Sequence, residues 1–393
     1  MTQPLHAVRV RGFRSAHDVS FEPGPVTALV GEAGSGKSSL LLAVWTLLSE
    51  EAELVKTSDV TVGHRGPVRI EATLAGGSVV GVEASPEGRD TVGFGEAPSA
   101  VFFPASQRAE RLVPAGAAPP QAVSAALETS GSGALALVAA VETWLGERLR
   151  GHVIMIEEPE LFLRPHAQRR LYRLLLNLAE MGNQVIYSTH ASTFLNVARL
   201  EDLVMVERDP GGETRVRRPS RLAEVETFRA VSEFDAERSE LLLARAAVLV
   251  EGRTEKLVFP FLFRALGYDA DAEGISIVEC GGKPNMPVIA EVCNLARIPY
   301  LVVHDRDAPP GRRPIASERA VNEAVDRVAG RERTIELAPD FEAVARLHAH
   351  RHKPEHAWHW FALPEHAHDV PEPLAEAVRR AVALARSQSV AVV

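Results

Sequence analysis

Gly31-Glu32-Ala33-Gly34-Ser35-Gly36-Lys37-Ser38 fits the pattern GxxxxGK[ST], between an apolar run, Val26–Val30, and an apolar segment of helix length, Ser39–Leu48. This motif constrains the fold more than any other feature of the chain, because it needs a strand, a tight loop and a helix in that order. A glycine-rich turn curls backbone N–H groups around phosphate oxygens at a helix N-terminus, where the peptide dipoles favour an anion. In that frame Gly31, Gly34, Ser35, Gly36 and Ser39 belong to the phosphate cradle. Lys37 reaches the β- and γ-phosphates, and the Ser38 hydroxyl ligates Mg²⁺.

A second apolar strand, Val153–Ile156, runs straight into Glu157-Glu158-Pro159-Glu160. Strands ending in acids are ordinary, and many are structural. Paired with a phosphate loop, however, the first acid would hold Mg²⁺ through water and the second, Glu158, would polarise an attacking water. His190, at the end of the run Gln184–Tyr187 and its extension, falls where a γ-phosphate sensor would sit, although a lone histidine is usually a capping or core residue. Val8-Arg9-Val10-Arg11-Gly12-Phe13-Arg14-Ser15, Glu158-Pro159-Glu160-Leu161 and Ser188-Thr189-His190 together resemble the ABC-type ATPase heads used in DNA maintenance. That resemblance implies ATP held between two protomers, with a Ser-Gly signature of one touching the γ-phosphate on the other. Ser130-Gly131 is the candidate signature, and Gln107 or Arg108 the candidate coupling residue. Ala33 stands where an Asn is usual and Glu157 where an Asp is usual; Glu still chelates, which implies slow turnover.

The second half alternates strand and helix: Ala246–Val250, Thr254–Leu266, Ile275–Val278, Pro287–Ala296, Tyr300–Val303 and Ser317–Val328. That spacing indicates a parallel sheet with crossover helices. Glu251-Gly252 follows the first of these strands, and His304-Asp305-Arg306-Asp307 follows the third. Ligands of open α/β sheets bind outside the carboxyl ends of strands. If these strands are neighbours, Glu251, Asp305 and Asp307 converge there. Like charges raise one another's pKa, and a divalent ion with oxygen ligands relieves them. The bland alternative is a set of acids capping helices and loops.

This half resembles a TOPRIM domain, and an ATPase head followed by TOPRIM resembles the OLD family of ATP-dependent nucleases. Val250-Glu251-Gly252-Arg253-Thr254-Glu255, Cys280-Gly281-Gly282-Lys283, Asp340-Phe341-Glu342 and Lys353-Pro354-Glu355 match further family motifs. The resemblance implies that Glu251, Glu255 and Glu342 hold one metal and that Asp305 and Asp307 help bridge two. It also implies that Lys353 stabilises the phosphorane and that Lys283 contacts a phosphate. Only five lysines occur (Lys37, Lys56, Lys256, Lys283, Lys353), a soft argument that those present are needed as compact ammonium groups.

The expected architecture is therefore α/β: an ABC-type P-loop ATPase domain over 1–238, then a Rossmann-like TOPRIM domain with a mainly parallel sheet and helical C-terminus over 239–393. The formal charge of −9 argues against a surface coated in basic residues, though not against a local basic groove, expected at Arg215, Arg217, Arg218 and Arg221. No apolar run approaches the ~20 residues of a membrane span, and no signal peptide is evident, so a cytoplasmic chain is expected. Two cysteines are too few for a zinc module. The seven histidines between His348 and His368 read as solvated polar positions rather than a metal site. The expected activity is an ATP-binding and ATP-hydrolysing nuclease with Mg²⁺, or Mn²⁺ at the second site, cutting by a two-metal mechanism in phage defence or DNA processing. Its expected partners are nucleic acid, DNA ahead of RNA, a second copy in a homodimer or higher oligomer, and an effector protein. The alternative is a sensor or scaffold that binds nucleic acid or an effector without cutting.

Overall fold

Val26–Val30 and Gln184–Thr189 are buried at every position, which a strand can satisfy only when both faces of its sheet are covered. The computed structural model describes residues 4–50, 55–105, 115–116, 133–223, 238–309, 311–347, 353–362 and 370–389. It divides into two compact units, residues 1–196 with 201–219, and residues 197–200 with 220–391. The expected boundary at 238/239 borders residues 224–237, which lie outside the described residues, as do Gln107, Ser130 and Gly131.

In the first unit, β1 (Leu5–Phe13), β2 (Ala16–Phe21), β4 (Val68–Leu74), β5 (Val79–Ser85) and β6 (Gly88–Gly93) form an antiparallel sheet in the order β2-β1-β4-β5-β6. The alternation of β4, buried at every second residue, gives that sheet one core face. A larger sheet holds β3 (Val26–Val30), β7 (Ala100–Phe103), β8 (Ala115–Gly116), β9 (Val153–Glu157), β10 (Gln184–Thr189), β11 (Leu203–Arg208) and β12 (Thr214–Arg217). Its order is β12-β11-β3-β10-β9-β7-β8; β11, β3, β10, β9 and β7 run parallel, and β12 and β8 are antiparallel at its edges. Helix α1 (Lys37–Leu48) lies in the core shared by both sheets, with Leu40, Leu41, Val44 and Trp45 packed among Val8, Val10, Ile70, Leu29, Met155 and Ile186. Buried Gln184 stitches the sheets together: its amide donates to the Leu5 carbonyl at 2.9 Å, and its carbonyl accepts from the Leu5 N–H at 3.0 Å. Two more helices follow here, α2 (Gly133–Gly146) and α3 (Pro165–Glu180).

The second unit is built on β13 (Ala246–Val250), β14 (Ile275–Glu279), β15 (Tyr300–Asp305) and β16 (Thr334–Leu337), all parallel, in the order β14-β13-β15-β16. Its helices are α4 (Arg253–Ala265), α5 (Met286–Ala296), α6 (Ala316–Ala329), α7 (Phe341–Val344), α8 (Lys353–Ala362) and α9 (Glu372–Ser389). Phe259 and Phe263 of α4 and Leu374, Val378 and Ala381 of α9 pack on Val248 and Val250. The expected α/β fold is present: a P-loop sheet in the first unit and a parallel Rossmann-like sheet in the second. Because β13 and β15 are neighbours, the ends of both strands open at the same edge.

Phe259 is fully buried, so Phe259→Ala should destabilise the second unit by about 3–5 kcal/mol, read as a lower urea midpoint in denaturation. A change below about 1 kcal/mol would show that this ring is not in a packed core.

Candidate active sites

In the first unit the Gly31–Ser38 loop joins β3 to α1, and two of its glycines cannot be replaced. A Cβ on Gly31 (φ 157) would lie 2.0 Å from the Val206 carbonyl oxygen, and one on Gly36 (φ 113) would lie 2.2 Å from Thr214 Oγ1. Lys37 is buried, and its ammonium donates to the carbonyls of Gly31 at 2.8 Å and Glu32 at 2.7 Å. Burial lowers its pKa to about 8, against the opposing pull of Glu158, Glu160 and Glu32. The buried Ser35 hydroxyl has no hydrogen-bond partner among the described residues, an orphan that fits a loop made to receive phosphate oxygens. Ser38 is exposed at the start of α1.

The acids that end and follow β9 approach this loop from across β10, the strand between β3 and β9. Glu157 Oε2 accepts the Ala105 N–H at 2.9 Å. Glu158 takes a positive φ of 46°, donates its N–H to the Ser188 carbonyl at 2.9 Å and stands 3.6 Å from His190 Nε2. Burial first, and then the nearby Lys37 charge, lower the His190 pKa. Glu160 holds this histidine's loop in place, with Oε1 accepting from the His190 N–H at 2.7 Å and the Thr189 hydroxyl at 3.0 Å. The structure thus brings Lys37, Glu158 and His190 together.

Residues with no local sequence signature brace the loop from behind. Thr214 Oγ1 donates to the Ser35 carbonyl at 2.9 Å and sits 2.7 Å from Ser15 Oγ, and Arg208 Nε donates to the Gly34 carbonyl at 2.6 Å. The Asp209–Glu213 turn is legible as a hairpin, but its packing against the phosphate loop is a long-range contact without a local signature. The same hairpin corrects the expected basic groove. Arg215 pairs with Asp209 at 2.9 Å and Glu213 at 2.8 Å, and Arg217 pairs with Glu207 at 2.7 Å. Arg218 is bonded to the Glu201 and Glu22 carbonyls. These charges are largely spent within the unit instead of forming an uncommitted basic patch.

In the second unit Glu251 follows β13 and Asp305 ends β15. Glu251 Oε1 accepts the Asp305 N–H at 2.7 Å, and Asp305 Oδ1 accepts the Phe341 N–H at 2.7 Å. Glu255 is buried in the first turn of α4, and Glu342 lies in α7. Burial raises Asp305 to about 8, with the charges of Glu251, Glu255 and Glu342 adding to the effect. Burial likewise raises Glu255 to about 7, helped by Glu251 and Glu342. These four acids therefore feel one another strongly. Asp307 (φ 58) is ion-paired to Lys283, which is buried. Lys353 opens α8, but its side chain lies outside the described residues.

Hard oxygen donors with surplus negative charge suit Mg²⁺ or Mn²⁺ in their chemistry. Among the described residues no three of these acids stand around one point as metal ligands. Glu251 and Asp305 each commit one of two carboxylate oxygens to a backbone N–H, and Asp307 is held by Lys283.

Residues 242–307 match the family described as Overcoming lysogenization defect protein-like, TOPRIM domain. Residues 118–196 match an AAA domain, putative AbiEii toxin, Type IV TA system, and residues 4–61 match a family of unknown function. The chain thus carries a segment that matches an AAA domain, followed by one that matches an OLD-like TOPRIM domain. It is similar to the OLD nuclease of Thermus scotoductus, 37% identical over 218 residues that make up 51% of this chain and 41% of that protein. The Old nuclease of Escherichia phage P2 is 30% identical over 161 residues, 39% of this chain and 28% of that protein. The chain thus spans less than half the length of either OLD relative. The SMC head domain from Thermotoga maritima aligns with 56% of this chain and 100% of its own at 17% identity, with a TM-score of 0.36. At that score the likeness carries no weight beside the strand order above. No helix among the described residues is long and apolar enough to cross a membrane.

Thr214→Val should weaken ATP binding by about 1 kcal/mol, roughly fivefold, while Thr214→Ser keeps the hydroxyl and the affinity. Equal affinity in all three proteins would remove the brace. The Lys37 ammonium also predicts a pH effect. Its pKa in the nucleotide-free loop is about 8, and a bound polyphosphate favours the protonated form, so binding takes up a proton once the pH exceeds that value. ATP affinity should therefore fall between about pH 7 and 9, with proton uptake visible by calorimetry in two buffers. Affinity independent of pH would contradict it.

Proposed function

We propose that this protein is an ATP-controlled, divalent-metal-dependent nuclease. The observation that carries the proposal is the hydrogen-bonded placement of Glu251 and Asp305 at the ends of two adjacent parallel strands, with Glu255 on α4 and Glu342 on α7 near enough to act on the Asp305 carboxyl, in a chain that also carries a phosphate loop. The names of the OLD relatives support the same reading.

In the ATPase unit, Gly31, Gly34, Ser35, Gly36, Lys37 and Ser39 would cradle the nucleotide, and Ser38 and Glu157 would hold its Mg²⁺. Glu158 stands as base toward the attacking water, and His190, 3.6 Å from it, as γ-phosphate sensor. Gln107 and the Ser130-Gly131 pair would complete the site between two protomers, so a homodimer or larger assembly is the expected working form. Domain limits of 1–238 and 239–393 are proposed for the two activities.

In the TOPRIM unit, Glu251, Glu255, Asp305, Asp307 and Glu342 would hold one or two Mg²⁺ or Mn²⁺ ions. Such ions supply charge stabilisation at a scissile phosphate and an activated water. Asp305 is fixed by two backbone hydrogen bonds, one through its N–H and one to its carboxylate. Lys353 would neutralise the phosphorane. DNA is the proposed substrate ahead of RNA, with a cytoplasmic role in phage defence or DNA processing and scope for an effector partner.

The test is cleavage of supercoiled plasmid and single-stranded RNA with Mn²⁺ or Mg²⁺, with and without ATP. Wild type should cut, Asp305→Ala should not, and Lys37→Ala should lose the ATP response. ATP hydrolysis without any cutting would instead establish a nucleotide-dependent sensor or scaffold.

A further inference from the structure

Lys283 follows the Cys280-Gly281-Gly282 turn and is only 4% exposed. A buried ammonium is costly unless it is paired and hydrogen-bonded, and here it is both. Its Nζ donates to the Asp305 carbonyl at 2.6 Å and to Asp307 Oδ2. Glu251 Oε1 lies at 3.5 Å and Glu318 Oε2 at 4.0 Å. The end of β13, the loop after β15 and the first turn of α6 therefore all present oxygens to one lysine. The position is fixed from the backbone as well, since the Gly282 N–H donates to the Glu251 carbonyl at 2.8 Å.

A lysine that served only to greet a substrate phosphate would be accessible, with its charge unspent. This one is enclosed and satisfied by protein groups, two of them acids assigned above to a divalent ion. A divalent ion drawn to Asp307 would stand within a few ångströms of this ammonium, and cations that close repel strongly in a buried site.

We propose that Lys283 is the resident counter-cation of the carboxylate centre. Its ammonium neutralises Asp307 and Glu251 in the metal-free protein, and Asp307 reaches a divalent ion only as Lys283 releases it. Lys283 is thus a positioning residue that keeps the acid cluster assembled without metal and sets a threshold for metal binding. The inference rests on the reading of these acids as a divalent-metal centre.

Mn²⁺ binding to the full chain, without nucleic acid or nucleotide, tests it through the electron paramagnetic resonance signal of free Mn²⁺. Lys283→Met should bind Mn²⁺ about tenfold more tightly than wild type, because an opposing unit charge is gone. Equal or weaker binding by Lys283→Met overturns the proposal. A second measurement uses the unaltered chain: with only five lysines, the ¹³C-lysine spectrum is sparse, and Lys283→Arg, which keeps the charge, assigns the Lys283 signal. That signal should shift when Mg²⁺ is added; an unmoved signal while Mn²⁺ still binds overturns the competition alone. No Mn²⁺ binding by wild type, or binding unchanged by Asp305→Asn, would remove the metal centre itself and the proposal with it.

Discussion

The carboxyl groups of Glu251 and Asp305 at the ends of two adjacent parallel strands, with Glu255 on α4 and Glu342 on α7 near enough to act on Asp305, are the constraint on which the second unit turns. Removing ionised carboxylates from water is expensive, and placing several together compounds the cost. The raised pKa values of Asp305 and Glu255, about 8 and about 7, express that cost. A fold assembled only for stability would have no use for such a cluster. The surrounding backbone is arranged to hold it nonetheless, with the Asp305 and Phe341 N–H groups and the Lys283 ammonium each committed to an acid.

The phosphate loop of the first unit shows the complementary arrangement. There a cation is buried among backbone carbonyls, and the Lys37 ammonium is held by the loop that it would serve. The brace behind the loop, Thr214 and Ser15 with Arg208, fixes the conformation that the glycines make possible. Each unit thus keeps one lysine sequestered beside oxygen atoms, one where anionic phosphates would come and one where a metal cation would come.

Much of this was legible in the sequence because the signals are local. Gly31–Ser38 and the apolar runs ending in Glu157, Glu251 and Asp305 each place a functional group at a strand end, and strand ends are where such sheets bind. The strand–helix alternation pointed to a parallel sheet but left open whether β13 and β15 are neighbours; their pairing in the structure brings Glu251 to Asp305. What could not be read depends on contacts between distant segments. Nothing local to Thr214 says that it will sit beneath Gly36, and nothing in Gly281-Gly282-Lys283 says whether that lysine turns toward a substrate or inward. Arg215 and Arg217 looked like a basic groove because their acidic partners, Asp209 and Glu207, become neighbours only across the folded hairpin.

The central claim is that these acids form a divalent-metal centre, and anomalous scattering from crystals of the full chain soaked in Mn²⁺ tests it most directly. The account predicts a manganese peak coordinated by oxygens of Glu251, Glu255, Asp305 or Glu342, with the Lys283 ammonium moved away from Asp307. Crystals that show no manganese among these side chains, with the Lys283–Asp307 pair intact at saturating Mn²⁺, would contradict it.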